Sequence, residues 1–171
     1  HDDLGSNYRM TEMQASIGRE QLKYLDKQVK KRNLIASLYL NELKDYYLKY
    51  DILKNPSLKC HSCPIKETSK KCNECRHAFY RLNLFINKNK VNQSKLIFQL
   101  NNNKINCGVG ACPEIYREKI FKKLQFQPKE RLTNAKLLGE TSLMFPINPF
   151  RSMTEIKLDI NHLKKILNHY L

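Results

Sequence analysis

From residue 10 to about residue 50 the chain contains no proline and a single glycine, Gly18. That run restricts the fold more than any other feature. Thr11-Glu12-Met13-Gln14 has the pattern of a capping box, in which a hydroxyl and an amide side chain satisfy free backbone groups at a helix start. Apolar residues then recur at Met13, Ile17 and Tyr24 on one stripe and at Leu22, Leu25 and Val29 on another. Leu34, Ile35, Leu38, Leu43 and Tyr46 continue at helical spacing. One helix is expected over the whole run. Apolar on more than one stripe, it must pack against several partners, either as a core helix or as one that also forms a subunit interface.

Asn55-Pro56-Ser57 ends the helical region. Residues 78–86 alternate as a strand does, with Tyr80, Leu82, Leu84 and Ile86 on one face. Asn92 caps a short helix reaching about Asn102. Ile105 to Val109 forms a short strand, and residues 114–124 and 131–140 are helical. Thr141 to Phe145 is a strand closed by Pro146 and Pro149. Ser152-Met153-Thr154-Glu155 is a second capping box, opening an amphipathic helix with Ile156, Ile160, Leu163, Ile166 and Leu167 on its apolar face. Strands and helices in this order imply a small α/β or α+β layer structure.

The chain of 171 residues suits one domain of ordinary size, and 41% apolar content excludes disorder by composition. No apolar run approaches the ~20 residues that span a bilayer. The opening His1-Asp2-Asp3 lacks an initiator Met, so the natural amino terminus is expected upstream. It also lacks a basic-then-apolar leader, so a cytoplasmic location is expected. The net charge of +15 invites a nucleic-acid reading, but the excess is 23 Lys against 8 Arg and is spread along the chain. Arg is the usual choice for base and phosphate recognition. A diffuse lysine bias argues against a dedicated nucleic-acid face, whereas an anionic small substrate suits it.

The interval 58–77 is cysteine-rich. Cys60 and Cys63, then Cys72 and Cys75, form two CxxC turns separated by eight residues. Two such turns make a four-cysteine site of the structural zinc type, and disulfides are the weaker explanation in a cytosolic chain. His61 or His77 is a substitute ligand. With all ligands supplied by protein, such a site fixes a loop and leaves no open position for catalysis. Cys107 and Cys112 fall outside the pattern and read as small buried residues, with Cys112 near the cleft.

The segment Gly5-Ser6-Asn7-Tyr8-Arg9-Met10-Thr11-Glu12-Met13-Gln14-Ala15-Ser16-Ile17-Gly18, continued by Gln21-Leu22, Leu25-Asp26 and Arg32, resembles the DegT/DnrJ/EryC1/StrS family of sugar aminotransferases. Only Ser16 departs from the usual Ala. Cys112-Pro113-Glu114-Ile115-Tyr116 and Ala135 to Phe145 resemble later motifs of one branch. The resemblance implies the C-terminal part of a fold-type-I transferase. Residues 1–54 would be the end of a large domain and a long interface helix, and 55–171 a C-terminal small domain carrying the insert at 58–77. It implies pyridoxal phosphate as cofactor, glutamate as amino donor and a nucleotide-linked keto-sugar as acceptor. It also implies a homodimer whose site is shared between subunits. The Schiff-base lysine and the Asp facing the pyridine nitrogen would lie upstream, so this chain would hold no central catalytic residue. Asn7 would reach across the dimer to the cofactor phosphate and Arg9 would sit near cofactor and substrate. Glu114 and Tyr116 would line the substrate cleft.

Two other readings compete. One is a free-standing zinc-ribbon module binding nucleic acid through its lysine surface, although aromatic and Arg residues do not cluster with the cysteines as stacking platforms would. The other is a non-catalytic partner subunit completing another chain's active site.

Overall fold

A computed structural model describes residue 5 and residues 9–54, 77–110 and 112–171. Helix α1 spans Glu12–Leu22 and starts as the capping box requires. Thr11 is extended, its hydroxyl accepts the Gln14 amide at 3.2 Å, and the Gln14 side chain accepts the Thr11 amide at 3.0 Å.

The expected single helix is interrupted twice. It is divided into α1, α2 (Leu25–Glu42) and α3 (Lys44–Leu48). At the first break the Lys23 amide donates to Glu20 O at 3.2 Å and the Tyr24 amide to Gln21 O at 3.1 Å. These i→i−3 bonds tighten the turn. The second break is at Leu43, where ψ rises to 7°. Neither break uses Pro or Gly, so periodicity passes through both without a signal.

The sheet has the order β1-β2-β3, from Leu53–Lys54, Arg81–Ile86 and Ser142–Pro146, and both pairings are antiparallel. Leu53 opposes Ile86 on one side of the central strand, and Leu84 opposes Leu143 on the other. Leu82, Leu84 and Ile86 are buried as expected, but Tyr80 is exposed. Phe79 adopts φ 42° and takes the buried place, and the chain bends at Tyr80 before the strand begins. The strand expected over Ile105–Val109 is reduced to one bridge. Gly108 exchanges backbone bonds of 3.0 and 2.8 Å with Met144, on the free edge of β3.

Helix α4 (Gln93–Asn102) is capped by Asn92, whose side chain accepts the Lys95 amide at 2.9 Å. The expected helix over 114–124 divides into a 3-10 turn at Ile115–Arg117 and α5 (Lys119–Lys123), because Glu118 between them is extended. Helix α6 spans Thr133–Thr141. Helix α7 spans Met153–Asn168, and its Ser152–Glu155 capping box is complete. All five residues read as its apolar face are buried.

Helices α2, α3, α4 and α7 enclose one core with the sheet. Ile35, Leu43, Leu53, Leu84, Leu96, Leu143, Ile160 and Leu163 are among its fully buried members. Each contributes about 1.5–3 kcal/mol by leaving water. Polar ties sit at the helix contacts: the Tyr46 hydroxyl donates to Asn168 Oδ1 at 2.6 Å, Lys164 pairs with Glu42, and the Tyr170 hydroxyl donates to Gln99 at 2.7 Å. Helix α1 buries none of its residues. Among the described residues, no helix is long and apolar enough to cross a membrane.

Candidate functional site

Two regions carry the residues that the sequence singled out. The first is the segment leading into α1. Arg9, Met10 and Thr11 are exposed and precede the helix without regular structure. Asn7 lies outside the described residues. From here an unpartnered apolar surface runs along α1 and into α2 through Met13, Ile17, Leu22, Tyr24, Leu25 and Leu34, with Ile17 59% exposed. At the start of α2 it borders a cleft of about 660 Å³, where Tyr24, Leu34 and Phe150 meet a rim of Lys27, Lys30 and Lys31. Among the described residues this apolar floor and its cationic rim are left uncovered.

The second region lies between β3's free edge and α6. Glu114 and Tyr116 are brought together around a residue that sequence reasoning missed, Arg131. Arg131 Nε donates to Glu114 Oε1 at 2.7 Å and its terminal nitrogen to Oε2 at 2.6 Å. Arg117 approaches Oε2 at 3.3 Å. The Tyr116 hydroxyl donates to Glu114 Oε1 at 2.7 Å and accepts the Leu132 amide at 3.1 Å. Gln127 donates to the Tyr116 carbonyl at 2.7 Å. The fork-to-fork pairing with Arg131 and the Tyr116 hydrogen bond hold the Glu114 carboxyl down at about 2. The carboxylate is therefore committed to tying the 3-10 turn to the start of α6. No local pattern announces this pairing, because its partners are 17 residues apart.

Proline 113 buttresses the same turn against α6. An added Cβ on Gly139 would lie 2.7 Å from Pro113 Cγ, so the glycine permits that close approach. Cys112 is exposed, contrary to the buried position expected. It precedes the 3-10 turn and faces solvent. Cys107 is buried as expected, and burial pushes its thiol up to about 12.

The zinc expectation falls on Cys60, Cys63, Cys72 and Cys75, all outside the described residues. Of the two histidines considered as substitutes, His77 is described. Its Nδ1 accepts the Phe79 amide at 2.9 Å, and its carbonyl accepts the Asn33 side chain at 2.8 Å. The Nδ1 lone pair is thus already engaged by the backbone. Among the described residues no cluster of three or more His, Cys, Asp or Glu forms a metal site.

The family model described as the DegT/DnrJ/EryC1/StrS aminotransferase family matches residues 1–161. The fold superposes on the aminotransferase from Psychrobacter cryohalolentis with a TM-score of 0.81 at 30% identity, covering 99% of this chain and 42% of that one. It also superposes on Helicobacter pylori PseC, an aminotransferase involved in the biosynthesis of pseudoaminic acid, with a TM-score of 0.73. The identity there is 18%, over 98% of this chain and 40% of the other, which is a likeness of fold. An uncharacterised protein of Methanocaldococcus jannaschii is 28% identical over 168 residues, 97% of this chain and 39% of that protein. The chain thus spans about two-fifths of the length of these relatives. By the match over residues 1–161, the chain belongs to the DegT/DnrJ/EryC1/StrS aminotransferase family.

Proposed function

We propose that this chain is the C-terminal part of a pyridoxal-phosphate-dependent aminotransferase, one that moves an amino group from glutamate to a nucleotide-linked keto-sugar. The supporting observation is the family match over residues 1–161. Among structural relatives, an Escherichia coli GDP-4-keto-6-deoxy-D-mannose-3-dehydratase carries bound hydrated pyridoxal phosphate. The cofactor would supply an electron sink. The lysine that holds it, and the acid facing its ring nitrogen, would lie upstream of His1, so residues 1–171 alone would be inactive.

In this reading Asn7 and Arg9 are the cofactor-side residues. The described residues fit in part: Arg9 is exposed, in the irregular segment ahead of α1. A guanidinium is the group whose planar fork suits a phosphate or carboxylate. Asn7 would donate an amide N–H to a phosphate oxygen. The apolar stripe of α1 fits a homodimer with a shared site, in which this segment crosses to the partner. Residues 1–54 would lead out of a large domain and 55–171 would form the small one. The transition would be gradual, since α1 buries nothing while α2 joins the small core. Glu114 and Tyr116 would shape the substrate cleft by holding the turn, with the carboxylate itself spent on Arg131. A cytoplasmic reaction and a structural zinc on Cys60, Cys63, Cys72 and Cys75 complete the proposal.

The test is the visible spectrum of the protein extended upstream, incubated with pyridoxal phosphate, before and after glutamate. Conversion of the protein-bound cofactor band to the amine form supports the half-reaction. A folded protein that never develops a bound band removes the proposal. Metal analysis after exhaustive dialysis tests the zinc separately: one equivalent, lost in a Cys60→Ser/Cys72→Ser variant, is expected.

A further inference from the structure

A further cavity lies at the loop after β3, where Asn148 and Arg151 flank the Pro149 and Phe150 of the cleft beside α2. It occupies about 270 Å³ between α2, the end of β3 and the start of α7. Its walls include Tyr39, Asn106, Phe145, Arg151, Ile156 and Asp159. That size is close to the lower end of small-molecule sites, about 300 Å³.

Three features point to a ligand. Tyr39 is 5% exposed, and its hydroxyl has no hydrogen-bond partner among the described residues. The hydroxyl oxygen is not sealed off, since Arg32 Nε is the one fully buried side-chain N or O without a partner among the described residues; it is open to a molecule in the cavity. Its ring is braced against Phe145 at 6.0 Å between centroids, so the hydroxyl is held in place. Second, Arg151 and Asp159 pair across the cavity, with guanidinium nitrogens 2.5 and 3.3 Å from the two carboxylate oxygens. The pair is electrically balanced, yet the guanidinium keeps spare N–H groups and the carboxylate spare lone pairs. Burial, followed by the charge of Asp159, pushes the Tyr39 hydroxyl up to about 12, so it stays protonated and able to donate. Third, Phe145 and Ile156 are buried apolar walls.

A charged ligand meets a pair that is already balanced and gains no net attraction from it, while it loses part of its own hydration. Groups that both donate and accept satisfy the phenol, guanidinium and carboxylate together. Hydroxyls do this, and the C–H faces of a ring suit the apolar walls. We infer that this cavity binds one neutral, hydroxyl-bearing ring of monosaccharide size, oriented by Tyr39 and the Arg151–Asp159 pair. The inference rests on the cavity and not on the transamination proposal.

The test is saturation-transfer NMR and calorimetry on the whole protein with free D-glucose, D-mannose and D-galactose. D-glucuronate and D-glucosamine serve as charged probes of the same shape. At least one neutral hexose is expected to bind saturably, with both charged sugars weaker by about tenfold or more. Tyr39→Phe, which removes only the hydroxyl, is expected to weaken binding about fivefold. Asn106→Ala, at an exposed position on the rim, is expected to weaken it less, with an unchanged circular dichroism spectrum. The inference is overturned if no hexose saturates, if a charged sugar binds tighter than the neutral ones, or if a folded Tyr39→Phe protein binds like the parent.

Discussion

Gly139→Ala sets two known effects against each other at one position. In a helix interior alanine is favoured over glycine by about 1 kcal/mol. Here the new methyl would lie 2.7 Å from Pro113 Cγ, inside any normal contact. A proline ring cannot swing aside as a long side chain can, so the backbone of one partner must move. Helix α6 is poorly placed to do so, because Gln93 Nε2 donates to both Gly139 O at 3.0 Å and Ser142 O at 2.7 Å. Overpacking of this kind costs about 1–3 kcal/mol. The balance is a net loss of about 1 kcal/mol. Gly18→Ala is the matched control: nothing stands within 4 Å of its added methyl. It gains the helix term, and since α1 buries nothing the gain is local. Urea unfolding at constant m reads the first variant; amide exchange across α1 reads the second. If Gly139→Ala stabilises the protein by about 1 kcal/mol, as an uncrowded site would, the argument that Pro113 holds the Glu114 turn against α6 fails.

Four further outcomes are expected. Leu84→Ala, in the central strand and 1% exposed, should lose about 2–5 kcal/mol in denaturant unfolding. Ser152→Ala removes the cap of a core helix and should cost about 1 kcal/mol globally in the same assay, whereas Thr11→Ala should leave the midpoint alone and speed amide exchange in α1. The Glu114 carboxyl falls from 4.5 to about 2 on folding through its Arg131 contact, so its contribution is present above pH 4.5 and disappears as the pH drops toward 2; unfolding midpoints across that window should slope less in Glu114→Gln. Sedimentation of this chain should show self-association, relieved by Ile17→Lys with Leu22→Lys; a monomeric boundary in the parent would contradict the covered-surface reading of α1.

Local chemistry was legible and long-range pairing was not. The caps at Thr11, Asn92 and Ser152 each need only side chains within three residues, and all three hold in the structure. The buried face of α7 follows from spacing alone. The breaks at Lys23–Tyr24 and Leu43 involve residues of ordinary helix propensity and are set by how the helices pack, which no local pattern carries. Tyr80 was misassigned because alternation assumes a strand backbone, and Phe79 leaves it with φ 42°. On the site, the match from Gly5 to Gly18 led to the family. What Glu114 does depends on Arg131, and Tyr39's cavity depends on α7. Those contacts exist only once the chain has closed on itself.

Asn33 makes the rest of the fold independent of the length of the Cys-rich interval. Its side-chain amide donates to Val29 O within α2 and to His77 O, both at 2.8 Å. On the other side, Lys54 is paired with Phe85 in the sheet. Both ends of the stretch 55–76 are thus secured by contacts outside it. Doubling the length of such a segment costs only about 0.6 kcal/mol in closure entropy. A change in the length of this stretch should therefore leave the sheet register and the Glu114 turn as they are.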